Sequence, residues 1–154
     1  SVSKDKSMID AFNAGVDIHT ATAAKVFGIE INEVTREQRS HAKTVNFGIV
    51  YGVSAFGLSN QTSLSRKESK ELIDSYFESY PGIKSYIDSQ VEFAREHGYV
   101  ETLMGRKRYL KDINSPNQVV RGASERNAVN APIQGSAADI IKIAITVSKL
   151  RGIP

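Results

Sequence analysis

Arg39, Lys43, Phe47 and Tyr51 stand four residues apart in the stretch 36–52, REQRSHAKTVNFGIVYG. At 3.6 residues per turn this spacing keeps them on one slowly drifting stripe of a helix. A rise of about 1.5 Å per residue separates Arg39 from Phe47 by about 12 Å along the axis, comparable with an extended nucleoside triphosphate. The two cations lie toward the helix N-terminus, where free N–H groups and the positive end of the macrodipole favour a phosphate. The rings lie toward the other end, where flat apolar groups can pack against a sugar and a base. The same residues also describe an amphipathic surface helix, with Val45, Phe47, Ile49 and Val50 in the core and Arg39 and Lys43 solvated. Gly48 and Gly52 weigh against that alternative, because each costs a helix interior about 1 kcal/mol relative to Ala.

Three other groups have the residue types for chemistry. His19 follows Asp17 at the start of an Ala-rich helical pattern, where a lone histidine is by type alone a structural residue. Arg106, Lys107 and Arg108 fall on a turn after Gly105, which by itself reads as a solvated loop. Arg126, Asn130 and Gln134 are again four apart, so a guanidinium and two carboxamides share one side of a helix. That side is either a polar exposed face or a set of donors and acceptors able to meet base edges in a minor groove.

The elements that must position these residues follow from local signals. Ser7 to Ala14 reads as a short helix with Ile9 and Phe12 on its apolar face and Gly15 as its stop, and Asp17 to Phe27 as a second helix capped by Asp17. Gly28 through Asn32 is a connection, and Asn32 or Thr35 caps the central helix, which runs to about Tyr51. Ser54 to Leu64 is a short helix and turn. Ser65 and Glu68 form a capping box for a helix to Ser79, with Leu72, Ile73, Tyr76 and Phe77 on its apolar face. After Pro81, a stripe of Ile83, Tyr86, Ile87, Val91 and Ala94 marks a helix ending at Gly98. Tyr99–Leu103 and Lys107–Leu110 bracket Gly105 as a small hairpin. Asn114 to Asn117 is a polar turn, and Val119 to Leu150 is helical, with an interruption and kink expected at Pro132 and a buried stripe of Ile140, Ile141, Ala144, Val147 and Leu150.

The chain has 154 residues, enough for one sizeable core and too few for a multidomain enzyme. Twenty Lys and Arg against seventeen Asp and Glu give a net charge of +3, which permits nucleic-acid binding. With no cysteine, disulfides and thiolate metal sites are excluded. No apolar run approaches the roughly 20 residues needed to span a bilayer and no apolar leader is present, so no membrane association and a soluble intracellular protein are expected. The opening SVSKDKSMIDAF, without an initiating Met, and the stop at Pro154 read as cuts from something larger.

The pattern Arg39-x3-Lys43-x3-Phe47-x3-Tyr51-Gly52 resembles the nucleotide-binding helix in the fingers of A-family DNA polymerases, the bacterial DNA polymerase I type. Four further segments resemble the same family in the same order: DIHTATA from Asp17, SYFESYPGIKSYI from Ser75, GYVETLMGRKRYL from Gly98 and ERNAVNAPIQGSAADIIK from Glu125. Ser40 departs from the pattern, since many relatives carry a second Arg there, which touches only an auxiliary phosphate contact.

The resemblance implies a mainly α fold, a multi-helix fingers subdomain with a small β-hairpin. Residues 1–16 would be a trailing palm segment, 17–130 the fingers and 131–154 a truncated palm helix. It implies that His19, Arg39 and Lys43 bind the phosphates of an incoming dNTP, that Phe47 packs on its sugar, and that Tyr51 and Gly52 lie beside the templating base. Lys43 would also protonate the departing pyrophosphate. Arg106 and Arg108 would contact DNA phosphates, while Arg126, Asn130 and Gln134 face the primer–template.

Catalysis in the family needs carboxylates that hold two Mg2+ ions about 3.5–4 Å apart, and no such cluster is visible. Asp17 and Asp139 do not match the family's metal aspartates. The expectation is therefore a polymerase piece, inactive alone, whose partners are primer–template DNA, dNTPs and the rest of the polymerase chain (palm and thumb), in the bacterial cytoplasm at the nucleoid. A non-enzymatic all-α nucleic-acid-binding module is the competing class.

Overall fold

The computed structural model describes residues 3–151. Among these, seven helices and one hairpin follow in the order α1 (Lys6–Asn13), α2 (Ile18–Phe27), α3 (Arg36–Val50), α4 (Ala55–Ser59), α5 (Arg66–Ser79), α6 (Pro81–His97), β1 (Tyr99–Glu101), β2 (Lys107–Tyr109) and α7 (Gln118–Leu150), with a 3-10 turn at Ile31–Glu33. The mainly α architecture with a small hairpin is the one the sequence implies. Helix starts are set by side chains that accept from otherwise unpaired N–H groups. Asp5, Asp17, Ser54 and Asn117 act as single caps, while Thr35 with Gln38 and Ser65 with Glu68 form reciprocal boxes. Of the two candidate caps for α3, Thr35 is the one used, and Asn32 lies in the 3-10 turn. Gly28 closes α2 in the left-handed conformation that glycine adopts without a Cβ penalty.

The chain divides within α6 into two compact units, one through Ile87 and one from Asp88. In the first, Val45 and Ile49 of α3, Leu58 of α4, and Leu72, Tyr76 and Tyr80 around α5 form a continuous core. Fully burying a side chain such as Leu58 contributes about 1.5–3 kcal/mol. The buried Ala23 and Ala24 let α2 lie close against α3. A Cβ on Gly48 would stand 2.6 Å from Val53 Cγ1, so the missing side chain is what allows the chain to fold back after α3. Asp5 is buried and joins distant parts of this unit. Its Oδ1 accepts from Met8 N at 3.0 Å and its Oδ2 from Gly82 N at 3.0 Å. Gly82 must be a glycine there, since a Cβ would lie 2.9 Å from the Asp5 backbone. Phe12 does not join the core as expected: it is 77% exposed, and α1 contributes no fully buried residue. Eight residues are little more than two turns, and α1 is held through its Asp5 cap, the half-buried Met8 against the core and a hydrogen bond from Lys25 to Ser7.

In the second unit, β1 pairs antiparallel with β2 in the register Tyr99 to Tyr109 and Glu101 to Lys107. The core is Ala94, Val100, Leu110, Ile113 and Ala128. The hairpin is fastened to α7 by polar contacts: Thr102 Oγ1 donates to Asp139 Oδ2 at 2.8 Å, Leu103 N to Ser136 Oγ at 2.8 Å, and Arg106 Nη2 to Asp139 Oδ1 at 2.9 Å and to the Gly135 carbonyl at 3.2 Å. A Cβ on Gly135 would meet Thr102 Cγ2 at 2.5 Å.

Two expectations fail on α7. The helix is continuous for 33 residues through Pro132, without the expected interruption. Pro132 has no N–H for the Ala128 carbonyl, one lost i→i−4 bond in the helix, and Ser136 Oγ donates to the Pro132 carbonyl at 2.6 Å. The stripe beyond it is not buried, with Ile140 51%, Ile141 58%, Val147 40% and Leu150 82% exposed. Ile143 and Ile145 are exposed as well, so this end is apolar on more than one side and nothing among the described residues covers it. No helix among the described residues is long and apolar enough to cross a membrane.

Candidate functional site

The N-terminus of α2 and the outward face of α3 bring His19, Arg39, Lys43 and Phe47 into one neighbourhood of the first unit. Phe47 is the informative member. It lies two residues, about 200° around the helix, from both Val45 and Ile49. Those two are buried, and Phe47 is left 54% exposed. The core-face alternative for Phe47 is therefore incorrect, although it was right about Val45 and Ile49. The His19 ring stands 5.7 Å from the Phe47 ring, tilted by 46°. Tyr51 is also 54% exposed and forms the C-cap of α3, its N–H bonding to the Gly48 carbonyl.

The cations differ in their surroundings. Arg39 makes a forked pair with Asp17, Nε to Oδ2 at 2.8 Å and Nη2 to Oδ1 at 3.2 Å. Asp17 also accepts from Thr20 N at 2.9 Å and Thr20 Oγ1 at 2.6 Å. The Arg39 hydrogen bonds foremost, then those of Thr20, hold its carboxyl well below the usual carboxylate range. Lys43 is exposed and has no side-chain partner among the described residues. His19 Nδ1 lies 3.1 Å from Asn46 Nδ2. Partial burial pushes the His19 pKa down, Arg39 and Lys43 push it further, and Asp17 opposes them. The result is two cations, a neutral imidazole and an exposed ring, which suits a polyanion joined to an apolar body.

The remaining predicted residues lie in the second unit. Arg106 is committed to Asp139 and the Gly135 carbonyl rather than standing at a solvated tip. Lys107 lies over the Tyr99 ring at 4.1 Å and pairs with Glu101 at 3.5 Å. Arg108, on β2, is exposed with no partner among the described residues. It lines a cavity of about 200 Å³ together with Thr102, Arg106, Pro132 and Gln134. Arg126 and Gln134 are exposed on α7, and Asn130 between them has a buried Oδ1 without a hydrogen-bond partner. Among the described residues no three His, Asp or Glu side chains converge where a metal ion could sit.

Sequence reasoning missed Asp17 as the counter-ion of Arg39 and Asn46 as the partner of His19. A signal existed for Asn46: asparagine is a poor helix former, and one placed mid-helix between Val45 and Phe47 calls for a side-chain partner.

Residues 1–150 match the sequence family DNA polymerase family A. The chain belongs to that family. Among its A-family relatives, it is 57% identical over 144 residues to DNA polymerase I of Caldicellulosiruptor bescii, covering 94% of this chain and 17% of that one. It is 60% identical over 145 residues to DNA polymerase I of Streptococcus pneumoniae, covering 94% and 16%. The POL domain of Pol1 from M. smegmatis, solved in complex with DNA primer-template and dNTP, superposes with a TM-score of 0.89 at 44% identity, over 98% of this chain and 27% of that one. The chain thus spans about a sixth of the length of these A-family relatives.

Proposed function

We propose that these 154 residues are the dNTP-binding fingers of a DNA-directed DNA polymerase with flanking palm segments: 1–16 as trailing palm, 17–130 as fingers and 131–154 as a palm helix. The observation that carries this reading is Phe47, an aromatic kept out of the core on the same face as Arg39, Lys43 and His19. Arg39, Lys43 and His19 bind the triphosphate, Phe47 packs on the sugar, and Tyr51 with Gly52 borders the templating base. Lys43, an unpaired ammonium, donates a proton to the pyrophosphate as the 3′-oxygen displaces it at the α-phosphorus. Arg108, Arg126, Asn130 and Gln134 contact the primer–template, and Arg106 holds the hairpin that presents Arg108.

Polymerases of this family work with divalent ions, Mg2+ in this reading. The described residues do not fit such a site, having no converging carboxylates; its ligands belong to the greater part of such a polymerase that this chain does not span. The same reading places the protein in the cytoplasm at the nucleoid, and the named relatives are bacterial. Competition between each dNTP and inorganic triphosphate, followed by chemical-shift changes, tests the reading. Tighter binding of dNTP, with shifts at Phe47, is expected. Equal displacement driven by charge alone would instead favour the non-enzymatic nucleic-acid-binding module, which the named relatives do not favour.

A further inference from the structure

The geometry points to Asn46 as a positioning residue for His19: its amide holds the imidazole in the tautomer with Nδ1 unprotonated and the proton on Nε2, the nitrogen that no described residue engages. The hydrogen bonds that orient this amide begin in the core. Thr22 is fully buried, and its single hydroxyl proton has its shortest acceptor in the Ile18 carbonyl at 2.7 Å, against 3.3 Å for Asn46 Oδ1. With that proton committed, the Thr22 oxygen accepts from the Tyr80 hydroxyl at 3.3 Å and from Asn46 Nδ2 at 3.1 Å. Of the two amide atoms Nδ2 is the nearer to the Thr22 oxygen, at 3.1 Å against 3.3 Å for Oδ1, and a reversed Asn46 amide would put the carbonyl in the nearer place, against these lone pairs. The amide nitrogen therefore faces both Thr22 and His19, and its second proton goes to His19 Nδ1 at 3.1 Å. An imidazole nitrogen that accepts carries no proton, so in the neutral ring the proton sits on Nε2.

The charged groups facing the ring are Asp17 from the α2 cap and Arg39 and Lys43 from α3. Burial and the two cations favour the neutral ring over Asp17's opposite pull. Resting on the phosphate reading of this site, the consequence is that His19 supplies a neutral N–H donor beside two cations, directed by Asn46 and ultimately by Thr22 and Tyr80 in the core. The site gains a hydrogen bond to phosphate oxygen without a third positive charge.

Histidine-selective 15N labelling of the protein reads the tautomer directly, with His19 assigned by its disappearance in His19→Gln. The expected wild-type spectrum has a pyridine-like Nδ1 and a pyrrole-like Nε2. Asn46→Asp offers only acceptors, so the two nitrogens should exchange character and the ring should titrate at higher pH. If that variant does not fold, Thr22→Val releases the amide instead and should give a mixture of both tautomers. A wild-type ring protonated on Nδ1, or an unchanged tautomer in either folded variant, overturns the inference. Adding inorganic triphosphate should then move the Nε2 resonance. The expected tautomer with no such movement supports the role of Asn46 and overturns the phosphate role of His19.

Discussion

Arg39 meets any incoming anion already paired, because Asp17 occupies one edge of its guanidinium through Nε and Nη2. A triphosphate that engages Arg39 does so against that carboxylate's charge, so Asp17→Asn is expected to tighten binding of dNTP and of inorganic triphosphate alike, by about two- to fivefold, the size that an exposed pair supports. Isothermal titration of the two chains checks this. The same pair gives a signed pH dependence. Asp17 has a folded pKa depressed below its unfolded value, so its contribution to stability is complete above about pH 4 and is lost as the pH falls through the folded value. The difference in urea midpoint between wild type and Asp17→Asn should be present at neutral pH and narrow below about pH 4; a difference that does not change with pH would mean that the pairing is not ionic. Lys43 has no such competitor. Lys43→Ala should weaken triphosphate binding severalfold at low salt and less at high salt, since exposed charges are screened over about 10 Å at 0.1 M. Lys67→Ala, which removes only an exposed partner of Glu71 on α5, should leave binding unchanged.

At the scale of elements, the turn after α3 depends on what Gly48 lacks. Gly48→Ala gains about 1 kcal/mol of helix propensity, but its methyl would be driven into Val53, and overpacking costs about 1–3 kcal/mol. A net loss on the order of 1 kcal/mol in urea unfolding is expected, recovered when Val53→Ala is added. On the other unit, Asp139→Asn removes the carboxylate shared by Thr102 and Arg106, so amide exchange across 99–109 should accelerate while the rest of α7 keeps its protection. Most of these elements were legible in the sequence because their signals are local. Asp17, Thr35, Ser65 and Glu68 stand next to the N–H groups they satisfy, and Gly98 and Gly105 mark turns at φ +76°. The exposure of Phe47 was legible too, since a 200° offset from Val45 cannot share its face. Two things were hidden. The Asp17–Arg39 and His19–Asn46 pairs join α2 to α3 over 22 and 27 residues, and no local pattern encodes such a meeting. Nor does periodicity say whether anything covers an apolar stripe, so Ile140 to Leu150 read as core.

For the whole chain, the proposed reading predicts that the 154 residues by themselves do not extend a primer on any template with Mg2+, because no described carboxylates converge to hold the ions; template-directed product from rigorously purified chain would refute it. The apolar end of α7 should make the isolated chain self-associate. Ile141→Lys combined with Ile145→Lys, one turn apart on an exposed side, should reduce the associated mass in light scattering and leave helical circular dichroism intact. The Asp5 clasp bears on the order of events during synthesis. Its two hydrogen-bond partners, Met8 and Gly82, are 3 and 77 residues away. At about 5–20 residues per second the ribosome makes Gly82 roughly 4–15 s after Asp5. Throughout that interval α1, with no fully buried side chain of its own, has its cap on Met8 N and, once α2 is made, the hydrogen bond from Lys25 to Ser7 to hold it. The Asp5 clasp on α1 is thus complete only when the start of α6 arrives.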